Sequence, residues 1–214
     1  MNRTLIYISA VAVSYFLGAV PTGLLAGRAG GVDIRTSGSG NIGATNVFRV
    51  LGARWGVTVL ILDIAKGFVP AFFFPIIVSW LSGPAETGTE FGMLCGFMAV
   101  IGHNWPVYLK FKGGKGVAAS LGMLAGIAWI SVLWGMGVWI VFTTVTRYVS
   151  AGSIAAALTV AVTGWFFHAK EGPLLPAVLT VLAGIVVWRH RKNIIRLMNG
   201  TENRIHFSGK SHDR

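Results

Sequence analysis

In the stretch FKGGKGVAA, residues 111–119, Lys115 stands among Gly113, Gly114 and Gly116. One cation set in backbone without side chains is equipment for an anion, because glycine lets the main chain approach a ligand closely. A helix starting at about Val117 adds its positive N-terminal end to the same spot. The stretch is not a Walker A loop, which needs Ser or Thr directly after the lysine, where this chain has Gly116. Extended backwards, the motif reads GHNWPVYLKFKGGKGVAA. His103 and Asn104 close an apolar run, Trp105 and Tyr108 are interface anchors, and Pro106 breaks the helix.

Three more polar segments carry similar chemistry. SGSGNIGATNVFR, residues 37–49, combines Ser37, Ser39, Asn41, Thr45 and Asn46 with glycines and a closing Arg49. Backbone N–H groups, hydroxyls and a guanidinium together hold anions, with Ser37 and Ser39 competing for the first position. RHRKNIIRLMNGTE, residues 189–202, places His190, Asn193 and either Arg196 or Leu197 on one helical stripe, with Gly200 as a C-cap and Glu202 at the end. TRYVSAGS adds Arg147, Ser150 and Ser153.

The elements between these segments are membrane spans. The chain has 214 residues, 54% hydrophobic and only 12% charged, with a mean hydropathy of +0.68; a soluble domain is about 25% charged. Spans need about 20 apolar residues. Thr4–Gly27, Trp55–Ala85, Phe91–Leu109, Tyr148–Phe167 and Gly172–Trp188 each qualify, and Thr4–Gly27 reads as a retained helix and not a cleaved signal. Val117–Thr146 has 30 uncharged residues, about 45 Å as one helix and too long for a core of about 30 Å. Turning near Trp129–Ser131, it becomes a hairpin and puts Arg28, Arg35, Arg49, Arg54, Lys110, Lys112, Lys115, Arg147 and the basic C-terminal segment on one side. Glu86, Glu90, Lys170 and Glu171 fall on the other. The positive-inside rule then predicts an all-α polytopic protein of seven transmembrane helices, N-terminus outside and C-terminus cytoplasmic. Residues 1–204 read as one integral-membrane domain and 205–214 as a polar cytoplasmic tail.

The net charge of +11 points to topology and phosphate binding. Nucleic acid is excluded, since no soluble part is long enough to form a reading module. No Cys/His/Asp/Glu cluster has metal spacing, and Cys95 is a packing residue. Asp63 and Lys66, i and i+3 within a span, read as a structural ion pair, and His168 reads as part of a solvated loop. What remains is a Lys/Arg/Gly/Ser/Asn basin at a membrane surface, suited to a phosphorylated substrate with an acyl tail.

In order and context, SGSGNIGATNVFR, GHNWPVYLKFKGGKGVA and HRKNIIRLMNGTE resemble the acyl-phosphate:glycerol-3-phosphate acyltransferases (PlsY), over essentially the whole chain up to Glu202. The resemblance implies a seven-helix enzyme of the bacterial inner membrane with its active site at the cytoplasmic face. It implies transfer of a fatty acyl group from acyl phosphate to the 1-hydroxyl of sn-glycerol 3-phosphate, without acyl-CoA, metal or cofactor. By motif, Ser37, Arg49, Lys115 and the surrounding glycines would hold phosphates, and His190 and Asn193 would meet glycerol phosphate with Ser150 or Ser153 nearby. Ser39, Asn41, Thr45, Asn46, His103, Asn104 and Glu202 join the substrate-binding set. The proton of the attacking hydroxyl would go to His190 or to a substrate phosphate; a serine acyl-enzyme ranks behind direct transfer. A transporter for a phosphorylated solute is the rival class, but its sites lie at the midplane between repeats, and here the polar clusters gather on one face without a repeat.

The charge pattern makes a direct prediction. Ser37→Cys, Gly113→Cys and Ser208→Cys should react with an impermeant thiol reagent only from the cytoplasm, and Thr87→Cys only from outside. Labelling of positions 113 and 208 from opposite faces would overturn the hairpin.

Overall fold

The computed structural model describes residues 2–83 and 88–205. Glu86, Thr87, Ser208 and most of the expected tail lie outside these. Among the described residues every regular element is helical. The chain forms two compact units, Met1–Trp129 and Ile130–Arg214.

In the first unit, α1 (Arg3–Ala19), α4 (Ala53–Ser82), α5 (Thr89–Asn104) and α6 (Val117–Ala125) pack as a bundle, and the short α2 (Thr22–Ala29) and α3 (Ala44–Leu51) join α1 to α4. Arg3 donates to the Ser82 carbonyl at 2.9 Å, so the start of α1 lies at the end of α4. Tyr7 and Phe91 rings, 4.8 Å apart, bring the start of α5 to the same end. Small residues set how closely the helices approach, as they do where lipid offers no hydrophobic drive for association. A Cβ at Gly67 would overlap the Ala119 carbonyl, and one at Gly122 the Ile64 carbonyl, so α4 and α6 touch backbone to backbone. The outward side of α4 carries exposed Leu60, Ile61, Leu62, Ile76, Ile77 and Trp80, a surface made for acyl chains.

In the second unit, α7 (Trp129–Thr146), α8 (Val149–His168), α9 (Leu174–Arg189) and α10 (Arg191–Met198) follow in order, with α10 bent 55° from α9 at His190. Gly164 packs on Leu179, and Trp165 donates to Thr180 at 3.0 Å, joining α8 to α9.

Arg3–Ala29, Ala53–Ser82, Trp129–Thr146 and Val149–Glu171 are long and apolar enough to cross a membrane, and the bent pair α9–α10 adds a fifth if it is counted as one span. The break in the long uncharged run falls at 126–128, a few residues before the expected turn, and leaves α6 only nine residues long. The expected Phe91–Leu109 helix stops at Asn104, because Pro106 cannot continue it, and residues 107–109 form one 3-10 turn. His168, expected in solvent, has a side chain only 12% exposed and lies 3.9 Å from Glu171.

Candidate active site

The first unit contributes two loops at the same end of the bundle. The 30–43 loop turns through Gly38 (φ +60°) and Gly40 (φ +70°) and is stapled from within by Asn46. The Asn46 side chain, 2% exposed, donates to the carbonyls of Ile34, Ser37 and Asn41 at 3.1, 3.0 and 2.9 Å and accepts from the Ser39 N–H at 2.8 Å. An apolar layer lies beneath: Leu24, Ile34, Ile42, Val47 and Val59 are buried together, with Trp55 and Leu109 packed against them. Leu109 belongs to the second loop, so one core supports both. The sequence grouped Asn46 with the substrate-binding residues, but the structure gives its amide to the loop. Ser37, Ser39 and Asn41 are half-buried, whereas Thr45 and Arg49 are exposed on α3. Asn41 Oδ1 accepts from the Gly43 N–H at 2.8 Å and so sets the start of α3. Arg49 Nη1 lies 3.5 Å from Asn46 Oδ1, which keeps the guanidinium beside the stapled turn. Asp33, the loop's acid, is bound by Arg35 at 2.8 Å; that hydrogen bond pulls its carboxyl down to about 2. Its charge is therefore committed locally.

The second loop folds back onto α5. The N–H groups of Gly114 and Gly113 donate to the carbonyls of His103 (3.0 Å) and Asn104 (3.3 Å) at the end of α5. Glycine is required here by close approach. A Cβ at Gly114 would strike the His103 ring, one at Gly113 the His103 carbonyl and Pro106, and one at Gly116 the Asn104 amide. The loop thus needs bare backbone to lie on the protein itself, a reason the motif did not reveal. Gly116, at φ +83°, then opens α6 at Val117, where the motif placed it. The first N–H bonded within α6 is that of Ser120, to Gly116 at 2.7 Å, so the amides of Val117, Ala118 and Ala119 lack intrahelical acceptors and point off the helix end. Lys115 is half-buried beside them, while Lys110 and Lys112 are exposed. His103 and Asn104 are both buried under the turn.

The second unit is organised around Glu202. Its side chain is 5% exposed, and it accepts from Ser150 Oγ at 2.8 Å, Asn193 Nδ2 at 2.6 Å and Arg196 Nε at 2.7 Å. Burial pushes this carboxyl up, but the bonds from Arg196, Asn193 and Ser150 together outweigh it and hold it below the ordinary glutamate value. Glu202 was grouped with substrate binding; the structure makes it the anchor that orients Asn193 and Ser150. Gly200 (φ +68°) ends α10, with Thr201 N–H reaching the Arg196 carbonyl at 2.8 Å, and this delivers Glu202 to the cluster. Ser153 is buried and accepts from Trp139 Nε1 at 3.3 Å. Arg147 (φ +61°) is exposed, and its carbonyl accepts from the Ile205 N–H at 2.8 Å. His190 is 2% exposed, and its Nδ1 lies 2.8 Å from the Val186 carbonyl. A carbonyl only accepts, so Nδ1 carries a proton, and whenever the ring is neutral the lone pair is on Nε2. That is the tautomer a general base or hydrogen-bond acceptor at Nε2 requires.

Taken by itself, the first unit offers hydroxyls, a half-buried lysine and the amides that open α6, and the second offers an oriented imidazole and carboxamide; each set can bind phosphate oxygens. The family model described as glycerol-3-phosphate acyltransferase matches residues 8–200. Glycerol-3-phosphate acyltransferase of Geobacter sulfurreducens is 46% identical over 194 residues, 90% of this chain and 94% of that one. That of Syntrophotalea carbinolica is 44% identical over 202 residues, 94% and 98% of the two chains. Among solved structures, the fold is similar to the glycerol 3-phosphate form of PlsY (YgiH), an integral membrane glycerol 3-phosphate acyltransferase. The match has a TM-score of 0.81 and 36% identity, and covers 94% of this chain and 96% of that one. The lysophosphatidic acid form of the same protein gives a TM-score of 0.78 at 35% identity, with 94% and 95% covered.

The Glu202 cluster predicts a stability signature. Glu202→Ala should lower stability in detergent by about 1.5–3 kcal/mol, the worth of a charge-assisted hydrogen bond. Because the folded carboxyl titrates below its unfolded value, its contribution is complete above the unfolded pKa of about 4.3 and is lost as pH falls through the lower folded value. In thermal melts from pH 7 downward the gap between parent and variant should therefore narrow toward the acid end, and a constant gap would exclude the assignment.

Proposed function

The chain belongs to the glycerol-3-phosphate acyltransferase family, and from that premise we propose that it moves a fatty acyl group from acyl phosphate to the 1-hydroxyl of sn-glycerol 3-phosphate. It is a multi-pass membrane acyltransferase of the PlsY kind. The products of the proposed reaction are lysophosphatidate and inorganic phosphate, the opening step of phospholipid synthesis. The observation that carries the reading is the pair of ligand forms of the similar PlsY structures. Glycerol 3-phosphate and lysophosphatidic acid differ by one acyl group, so they bracket the transfer.

An acyl phosphate is a mixed anhydride and already activated. The glycerol oxygen attacks the acyl carbon, the new ester C–O bond forms, and the acyl–phosphate C–O bond breaks with its electron pair leaving on phosphate. The principal obstacle is the repulsion of two anions. In the first unit, Lys115, Arg49, Ser37 or Ser39 and the amides opening α6 offset that repulsion and favour the charge that develops. In the second, His190 and Asn193 meet the glycerol phosphate, beside Ser150 or Ser153. The hydroxyl proton goes to His190 Nε2 or to a phosphate oxygen of the substrate, and the Nδ1–H···Val186 geometry supports the first as an acceptor. Seven crossings, an outer N-terminus, a cytoplasmic C-terminus and residence in a bacterial inner membrane complete the proposal; the grouping of basic residues supports it.

Purified protein with radiolabelled glycerol 3-phosphate should make lysophosphatidate from acyl phosphate and none from acyl-CoA; equal rates from both donors would sink the proposed donor. Lys115→Ala should lose a charge-assisted contact of about 1.5–3 kcal/mol, a fall of roughly 10- to 150-fold in kcat/KM. Lys110→Ala and Lys112→Ala should lose far less. Lys115→Arg should recover only part, because a planar fork does not match a site shaped for an ammonium. Normal turnover by folded Lys115→Ala would remove the lysine from the site.

A further inference from the structure

Asp63 and Lys66 lie within α4 and have no place in the chemistry above, yet the structure buries both. Their side chains are 2% and 6% exposed, with Asp63 Oδ1 2.8 Å from Lys66 Nζ. The pair does not close on itself. Thr22 Oγ1 donates to Asp63 Oδ1 at 2.5 Å, and Lys66 Nζ donates to the Val20 carbonyl at 3.2 Å. Val20 and Thr22 flank Pro21 at the break between α1 and α2, where a proline without an N–H interrupts the helical ladder. His103 Nδ1 lies 3.8 Å from Asp63 Oδ1, at the end of α5. The His103 carbonyl accepts from Gly114, and its ring fills the space against which Gly114 rests.

Energetics argue that stability alone does not explain the pair. A buried ion pair roughly breaks even against apolar residues of the same shape, and charge within a span is costly. What such a pair specifies well is geometry. With Thr22 and His103 the pair makes a cluster of four side chains, from the start of α2, from α4 and from the end of α5. Gly23, directly after Thr22, is where α2 meets the Ile42 carbonyl of the loop carrying Ser37, with no room for a Cβ. The same cluster therefore touches the supports of both loops of the first unit.

We infer that Asp63 is a positioning residue for the acyl transfer: with Lys66, Thr22 and His103 it fixes the α1–α2 break and the floor of the glycine turn in one register. Through His103 it sets where Gly114, Lys115 and the start of α6 stand, and through Thr22 it sets where α2 carries the Ser37 loop. The inference rests on the proposed reading of the glycine turn as a phosphate cradle.

The test uses purified full-length protein in detergent, with kcat and both KM values measured beside melting temperature. Asp63→Asn/Lys66→Met removes both charges together, so no ion is stranded in the apolar layer. Thr22→Val removes one hydroxyl and leaves the ion pair, and Thr22→Ser restores it. The double variant should raise the KM of a phosphate-bearing substrate by about 10-fold with kcat within about 3-fold of the parent. Thr22→Val should shift the same KM in the same direction, and Thr22→Ser should return it. Parental KM values in folded double variant and Thr22→Val, or activity falling only with the fraction of folded protein, would overturn the inference. Should the double variant not fold, the Thr22 pair decides by the same criterion. Lys115→Ala run in parallel separates the two levels. If it is harmless, the cradle reading itself fails; if it is damaging while KM is parental in the Asp63 and Thr22 variants, the cradle stands and the positioning role falls.

Discussion

Next to lipid, every backbone N–H and C=O must find a partner inside the protein, and this constraint governs the whole arrangement. The chain interrupts its helices where it needs irregular backbone for chemistry, and each interruption exposes polar groups. The Val20 carbonyl at the α1–α2 break receives Lys66. The last carbonyls of α5 receive Gly113 and Gly114, and the carbonyls of the 30–43 loop receive Asn46. The groups that make the loops rigid are thus the ones required to keep them folded beside a membrane, and a rigid loop is what an anion site needs.

Charge follows the same economy. Open carboxylates repel a phosphorylated ligand, yet the 30–43 loop contains Asp33 and the segment after α10 contains Glu202. Asp33 is closed by Arg35, and Glu202 by Arg196, Asn193 and Ser150. Each acid is turned to a structural purpose, so the excess of lysine and arginine acts on whatever approaches. Glu202 additionally removes rotational freedom from Asn193, which with the His190–Val186 bond gives the second unit a preset pair of polar side chains.

Local signals were readable from the chain alone. Pro106 ended a helix, Gly116 preceded the start of another at Val117, Gly200 capped α10, and Asp63–Lys66 formed its i, i+3 pair. Each is decided by residues within a turn or two. The contents of the loops were less legible, because a motif shows that glycine is needed but not what lies against it; at Gly114 the neighbour is the His103 ring. Asn46 and Glu202 carry the polarity expected of substrate ligands, and the motifs held no sign of the partners at Ile34, Ser37 and Ser150 that they have within the chain. Residues 117–146 carry no charge, so hydropathy marked the run and left the place of its break to packing of α6 on α4.

The bond between Ser150 and Glu202 spans 52 positions in sequence, and that separation imposes an order on biosynthesis. The contacts tying α5 to the glycine turn lie within about a dozen residues of one another and can form as soon as that segment leaves the ribosome, since short closures are quick. Ser150 must wait until α8, α9 and α10 have been made and inserted before its carboxylate arrives. At synthesis rates of roughly 5–20 residues per second, that is an interval of seconds. During it the first unit can be complete while the second is still open, so a nascent chain matures from one end to the other. The carboxylate that orients the Asn193 carboxamide is thus among the last polar groups to arrive.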